Sequence, residues 1–512
     1  MMRDDRTLPL GWVWTTIGEI TQVVEKIDPR EKPGSEFAYL DISSIDNTTY
    51  RITEPKFYSG KDAPSRARQL IRANDVLFST VRTYLKNIAF VPEIYDGQIA
   101  STGFSVLRAE DGVSSKYLFY YSLTESFLSA LGELQRGTSY PAVRDSDVRE
   151  QPIPLASLPE QRRIVAKIEE LFTRLDAGVA ALKRVLAALK RYRAAVLKAA
   201  CEGRLVPQDP NVEPAEKLLA RILAERRARW EADLRAKGKD PKKAKNVEPK
   251  SPDIDGLPEL PLGWCWATLA QQKLFSLYGP RFSSNEYTAD GVAVLRTSDI
   301  SESGKVSLKS APRLSLSDSE YEKYKCEVGD LLITRTGSIG TLAIFNDWVR
   351  AIPGAFLIQY RLLVPETTRW YLFYFLKSPS GNSSLLKKSA GIGRPNLNAP
   401  SIEEIPIPLP PLAEQPRIVA EVERRLSLVQ ELEQTVGANL ARAERLRQAI
   451  LKRAFEGKLA PQDPNDEPAR ALLQRISQPD SVAGQSERYS QRGGVTLSHR
   501  ARPARRSHLP PG

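Results

Sequence analysis

Between Ile164 and Val196 the apolar residues fall on one stripe with alternating spacings of four and three. Ile164, Ile168, Leu171, Leu175, Leu182, Val185, Leu189, Tyr192 and Val196 occupy it, with Gly178 in the remaining slot. A 3.5-residue repeat of this length predicts a long helix with a coiled-coil seam. The stripe returns at Ile418, Val422, Val429, Leu432, Val436, Ala443, Leu446 and Ile450, interrupted by Arg425 and Asn439. The two helices are predicted to start after proline-rich turns, one near Pro159 and the other near Pro411 or Leu412. Gly203 and Gly457 are placed as C-terminal stops, with Pro207 and Pro461 beyond them. About 42 residues at 1.5 Å each gives roughly 60 Å. A helix that long with a single apolar stripe needs a partner, and the other copy is the simplest one. Connectivity then makes the pair antiparallel, with Asn439 able to set its register.

Before each helix the pattern changes to short β-branched and aromatic runs broken by Gly, Pro, Asn and Asp. "NDVLFSTV", "GFSVLRA", "GDLLITRTG" and "AFLIQYRLLV" read as strands and tight turns. "SSKYLFYYSLTESFLSALG" and "TTRWYLFYFLKSP" read as helices packed on them. The globular parts are therefore predicted to be α+β, with a mostly antiparallel or mixed sheet.

The chain repeats itself at long range. "LPLGWVWTTIGEI" at Leu8 returns as "LPLGWCWATLAQQ" at Leu260. "QPIPLASLPEQRRIV" returns as "IPIPLPPLAEQPRIV". "LKAACEGRLVPQDPNVEPA" at 197–215 returns as "LKRAFEGKLAPQDPNDEPA" at 451–469. The offset stays at 252 to 254 residues, far beyond any solenoid period. This is one module written twice, with strong divergence between the echoes. The second "PQDPN" segment is expected to pack beside the first globular part.

Composition narrows the chemistry. The 512 residues carry 74 Lys+Arg against 62 Asp+Glu, a net charge of +12. That excess fits a polyanionic partner without proving one. The start of the chain holds no apolar segment that reads as a signal peptide, and no apolar run reaches membrane-spanning length. Cys201, Cys265 and Cys326 lack metal-site spacing and read as free thiols. The only histidines, His499 and His508, lie in a polar C-terminal stretch, so imidazole-based nucleophilic and acid–base catalysis is excluded from the folded part. No phosphate loop, no adenine-methylation motif and no dinucleotide fingerprint occurs.

The "LPxGW" entry, the "IPIPLPPLAEQPRIV" turn into a long helix, the "LKRAFEGKLAPQDPNDEPA" exit and their duplication together resemble the specificity subunit of a type I restriction–modification system. The resemblance covers roughly residues 8–475. It implies two similar target-recognition domains joined by two long antiparallel coiled-coil helices with pseudo-two-fold symmetry, each domain reading half of a split double-stranded DNA sequence. It implies a non-catalytic chain that docks two methyltransferase (modification) subunits and, through them, restriction/translocase subunits. No cofactor is expected on this chain; S-adenosylmethionine, ATP and Mg belong to the partners. The implied setting is a bacterial or archaeal cytoplasm, at the nucleoid when bound to DNA. The expected divisions are target-recognition domain 1 at 1–157, spacer helix 1 at 158–205 and a charged linker at 206–258. Target-recognition domain 2 follows at 259–410, then spacer helix 2 at 411–459, a conserved segment at 460–476 and a disordered basic tail at 477–512.

Base reading needs Arg, Lys, Asn, Gln or Ser on loops that reach groove edges. In the first half "STVRTYLKN" and "QRGTSYPAVR" supply Arg82, Tyr84, Lys86, Arg136, Ser139, Tyr140 and Arg144. In the second half "TRTGSIG" and "GIGRPNLN" supply Arg335, Ser338, Arg394, Asn396 and Asn398. "RTGSIGT" reads equally as a plain hairpin, and the linker 216–250 as a solvated spacer or a contact surface. A protein scaffold that never touches DNA is the alternative; it would show no steep salt dependence of DNA binding.

Overall fold

In the computed structural model the described residues are 8–137, 139–244, 248–337, 339–389 and 396–478. The chain forms two compact units: residues 1–181 with 439–512, and residues 182–438. Each unit holds one globular part, half of each long helix, and the exit segment of one helix.

The first long helix, Leu158–Cys201, runs unbroken for 44 residues; the second, Gln415–Phe455, for 41. The later start of the second has a local cause. Ser157 precedes the first helix, and its hydroxyl accepts the Glu160 N–H at 3.3 Å. Pro411 occupies the equivalent place and has no hydroxyl; its carbonyl takes the Glu414 and Gln415 N–H groups in a turn before the helix begins. Both helices end the same way. Gly203 and Gly457 sit at φ +65° and +66°, and the N–H of the next residue reaches back to Ala199 and Arg453. This is the left-handed glycine stop that the sequence predicts.

Direction is visible in each unit separately. In the first, Arg163 near the start of helix one pairs with Asp466 beyond the end of helix two at 2.5 Å, while Asp176 pairs with Arg447 further back. In the second, Arg193 pairs with Glu433 at 2.7 Å, and Arg417 donates to the Pro207 carbonyl beyond the end of helix one. The helices run antiparallel in both.

The seam is less complete than its heptads suggest. Ile164, Ile168, Leu189, Val196, Ile418, Val422, Val429, Val436 and Ile450 are buried; Leu171, Leu175 and Leu182 are half-buried. Leu432 and Leu446, predicted in the seam, are 42% and 49% exposed, and Val185 and Tyr192 are exposed as well. Two reasons apply. A straight helix drifts about 20° per heptad from a 3.5-residue repeat. Burial also alternates along the second helix, with Val429 and Val436 covered and Leu432 and Leu446 not, so cover depends on what packs against each turn. Asn439 is exposed and does not occupy a buried register position.

Each globular part has the same sheet plan. A two-stranded ribbon closes the part on itself: Val13–Thr16 pairs antiparallel with Pro152–Leu155, and Cys265–Thr268 with Pro406–Leu409. A four-stranded sheet carries Val76–Ser79, Ile88–Phe90 and Phe104–Ala109 in the first part, and Leu331–Thr334, Leu342–Ile344 and Leu357–Leu362 in the second. A further sheet in each includes one parallel pair, Glu36–Leu40 with Ile99–Ser101 and Val292–Leu295 with Ala351–Pro353. The sheets are thus mixed.

Buried polar contacts repeat between the parts. The indole Nε1 of Trp12 donates to Glu160 at 2.9 Å, and that of Trp264 to Glu414 at 3.0 Å. Tyr117 and Tyr371 donate to the carbonyls of Pro154 and Pro408. Gln161 and Gln415 donate to the carbonyls of Ala156 and Pro410. Arg108 grips Asp75 through Nε and Nη2 at 2.9 and 2.7 Å, as Arg361 grips Asp330 at 3.0 and 2.8 Å.

The duplicated exit phrase has a packing role. Gly457 lies against Pro9, and the Ala469 N–H donates to the Gly11 carbonyl. In the other unit Gly203 lies against Pro261, and the Ala215 N–H donates to Gly263. Each exit closes over an "LPLGW" entry, which is why both are written twice. The predicted docking of the second "PQDPN" segment onto the first globular part is observed. The linker is not a wholly solvated spacer. Ala215–Ala236 is a helix whose Ala215, Leu218 and Ile222 join the core of the second part.

Cys201 and Cys326 are buried and Cys265 is half-buried, all as free thiols; burial pushes Cys201 up to about 12 and Cys265 to about 11. Among the described residues no helix is long and apolar enough to cross a membrane. Most of the predicted C-terminal tail, with His499 and His508, lies outside the described residues.

Candidate nucleic-acid interface

In the first unit the connection between strands Val76–Ser79 and Ile88–Phe90 carries a short 3-10 turn, Thr83–Leu85. The residues on either side of it are left-handed: Arg82 at φ 50°, ψ 57° and Lys86 at φ 55°, ψ 39°. For residues with a Cβ this conformation costs roughly 1–2 kcal/mol each, so the surroundings must impose it. They do so from three segments. The Arg82 N–H donates to Pro141 at 2.7 Å, and its Nη2 to the Ser139 carbonyl at 3.1 Å. Asn47 Nδ2 donates to the Leu85 carbonyl at 2.8 Å, and Gln135 donates to the Thr83 hydroxyl.

The second predicted segment meets this turn. Arg136 and Val81 both form antiparallel bridges to Ala142. Tyr140 is 72% exposed and stacks under the Arg82 guanidinium at 4.7 Å. Arg136 lies 3.6 Å from Asp147, and Arg144, exposed, precedes the helix Asp145–Arg149. Arg82, Tyr84, Lys86, Arg136, Ser139, Tyr140 and Arg144, predicted from two separate stretches, therefore belong to one cluster.

The second unit builds its version on the equivalent strand. Arg335 follows Leu331–Thr334, and its guanidinium stacks on Tyr278 at 4.6 Å. Its Nε donates to Asn396 Oδ1 at 3.2 Å, and its carbonyl accepts from the Leu397 N–H. Asn398 caps the helix Ala399–Glu403 by accepting the Ser401 N–H at 2.9 Å. Arg335, Asn396 and Asn398 thus come together; Ser338 and Arg394 lie outside the described residues. The strands on either side of "RTGSIGT", Leu331–Thr334 and Leu342–Ile344, pair antiparallel, and within it Gly337 and Gly340 sit at φ +76° and +79°. In "LRTSDI" Arg296 is held by Asp299 at 2.8 Å.

Tyr278 was not predicted, although it binds this site together; its hydroxyl also accepts the Ala399 N–H at 2.8 Å. The available signal is an aromatic at a strand end just before Gly279 and Pro280. Asn47, Gln135 and Leu85 were also missed, because their partners are distant in sequence.

Each site presents an arginine on a tyrosine face, after the same strand, with no ion pair among the described residues. The planar guanidinium holds each loop in place: Arg82 Nη2 is taken by the Ser139 carbonyl and Arg335 Nε by Asn396.

The family model described as the type I restriction modification DNA specificity domain matches residues 9–184 and 275–439. The chain belongs to that family. The specificity subunit of the type I restriction enzyme EcoBI from Escherichia coli is 26% identical over 489 residues, covering 87% of this chain and 92% of the relative. The EcoKI specificity subunit from E. coli K12 is 24% identical over 504 residues, covering 93% and 97%. A solved chain, described under the structural basis of complex assembly and conformational transition of the type I R-M system, is 32% identical. It covers 88% of this chain and 100% of that one, with a TM-score of 0.65. The EcoBI and EcoKI relatives are specificity subunits, and the family implies recognition of a DNA target. Both matched segments include the arginine–tyrosine loops.

Proposed function

We propose that this chain is the DNA-reading, non-catalytic subunit of a type I restriction–modification complex. Each globular part reads one half of a split duplex sequence, and the paired helices set the spacing between the halves. Two methyltransferase subunits dock on the chain, and restriction subunits join through them. S-adenosylmethionine, ATP and Mg act on those partners, and this chain needs no cofactor of its own. The complex works on host and incoming DNA in the cytoplasm.

The carrying observation is the equivalent placement of Arg82 on Tyr140 and Arg335 on Tyr278 within a repeated frame whose loops diverge. A shared frame with different exposed polar loops suits two readers of different half-sites. Phosphate contacts by the surrounding basic residues would make binding strongly salt-dependent. The test is methylation-sensitive sequencing of the host genome with and without this gene. A split adenine-methylated motif that vanishes on deletion, and returns with the gene, is the expected result. An unchanged set of modified motifs would refute the assignment.

A further inference from the structure

The Thr83–Leu85 turn is built to present two apolar side chains to solvent. Tyr84 is 59% exposed and Leu85 39%, side by side at the tip. Their mount is stiff. Thr83 and Asn87 on either side are buried, at 2% and 8% exposure, and the left-handed Arg82 and Lys86 bracket the tip. Asn47 and Gln135 brace it from two other segments. Non-glycine residues hold left-handed geometry only where their neighbours over-determine it, and such places concentrate at ligand contacts. An aromatic on a preorganised turn loses little freedom on binding, so its contact is retained as affinity.

The setting points to the ligand. Lys86 adjoins the tip, and the segment that meets this turn carries the exposed Arg144 beside Arg136, which pairs with Asp147; basic side chains next to an exposed aromatic suit a base stack flanked by phosphates. The equivalent connection in the second unit has glycines at 337 and 340 and no exposed aromatic among its described residues. We infer that Tyr84, with Leu85 beside it, is a wedge that enters one base step of the half-site read by the first globular part, and that the equivalent connection of the second part carries none. Apolar wedges of this kind unstack a step and bend the duplex. Arg82 is then a positioning residue: its guanidinium, spent on Tyr140 and the Ser139 carbonyl, holds the turn. This rests on the DNA-reading function proposed above and assigns the mechanism of one half of it.

The test uses the full chain assembled with its methyltransferase subunits on the duplex found by methylation mapping. 2-Aminopurine is placed at successive positions of the half-site that changes when residues 8–157 are exchanged. We expect at least a twofold fluorescence rise at one step other than the methylated adenine. Tyr84→Ala should abolish that rise and weaken specific binding at least tenfold, while Tyr84→Phe keeps both, since stacking needs no hydroxyl. Both substitutions should leave the melting temperature unchanged, because the ring is exposed. Specific binding with no rise, a rise that survives Tyr84→Ala, or weaker binding without loss of the rise would each overturn the wedge and leave DNA reading intact. Absence of any sequence-specific binding by the wild-type complex would overturn both.

Discussion

The two globular parts agree in what is buried and differ in what is displayed. Trp12 and Trp264 both donate to a buried glutamate, and Asp75 and Asp330 both hold a forked arginine. On the outside the first part displays Tyr84 on a turn between two strained residues, while the corresponding connection of the second carries Gly337 and Gly340 at positive φ. The contrast teaches where divergence is tolerated. Buried polar pairs are lost only at high cost, so the frame resists change. A loop tip has few internal obligations and is free to follow its ligand.

The largest expected effect breaks the comparison in two. Exchanging residues 8–157 for the matching part of another family member should abolish modification of the original sequence. Methylation sequencing should show a new motif in which one half is unchanged. A change in both halves would mean that the parts do not read independently.

The next effect tests whether the frames are equivalent. Asp75→Ala leaves the mostly buried Arg108 without its carboxylate, and breaking such a pair costs about 3–5 kcal/mol, whereas after Asp330→Ala Arg361 keeps Glu327 at 2.9 Å. Chemical denaturation should show the larger loss for Asp75→Ala, with each loss confined to the unit that carries the substitution. Equal losses would show that Glu327 contributes nothing to holding Arg361.

The smallest effect concerns a difference inside the shared frame. Burial raises the carboxyl of both Glu160 and Glu414 above the ordinary range, and the tryptophan hydrogen bond pulls each back down. Glu160 also accepts from Gln462 at 3.3 Å, whereas Glu414 Oε1 is buried without a partner. Gln208, the counterpart of Gln462, instead bonds the Gly203 carbonyl. Trp264→Phe should therefore cost more than Trp12→Phe, roughly 1–3 kcal/mol near neutral pH. The sign with pH follows from linkage. A carboxyl raised in the folded state favours folding when protonated, and that contribution is lost as pH rises through the raised value. Both penalties should shrink as pH falls through the raised range towards the ordinary carboxylate range, in thermal melts run at several pH values. Equal penalties that do not vary with pH would show that the second partner of Glu160 is irrelevant.

Periodicity and repetition in the chain were enough to specify the two long helices, their glycine stops, their antiparallel order and the duplicated α+β parts. These features depend on local spacing and on covalent connectivity, which a sequence states directly. The loops carrying Arg82 and Arg335 were also legible, as basic and polar stretches after strands. Tertiary structure alone decided the rest. Leu432 and Leu446 sit on the predicted stripe yet stay exposed while Val429 and Val436 are buried, because cover depends on what packs against each turn. Tyr278, Asn47 and Gln135 acquired their roles through partners dozens to more than a hundred residues away. The left-handed backbone at Arg82 and Lys86 has no sequence signature, since arginine and lysine do not favour it; only contacts from separate segments hold it in place.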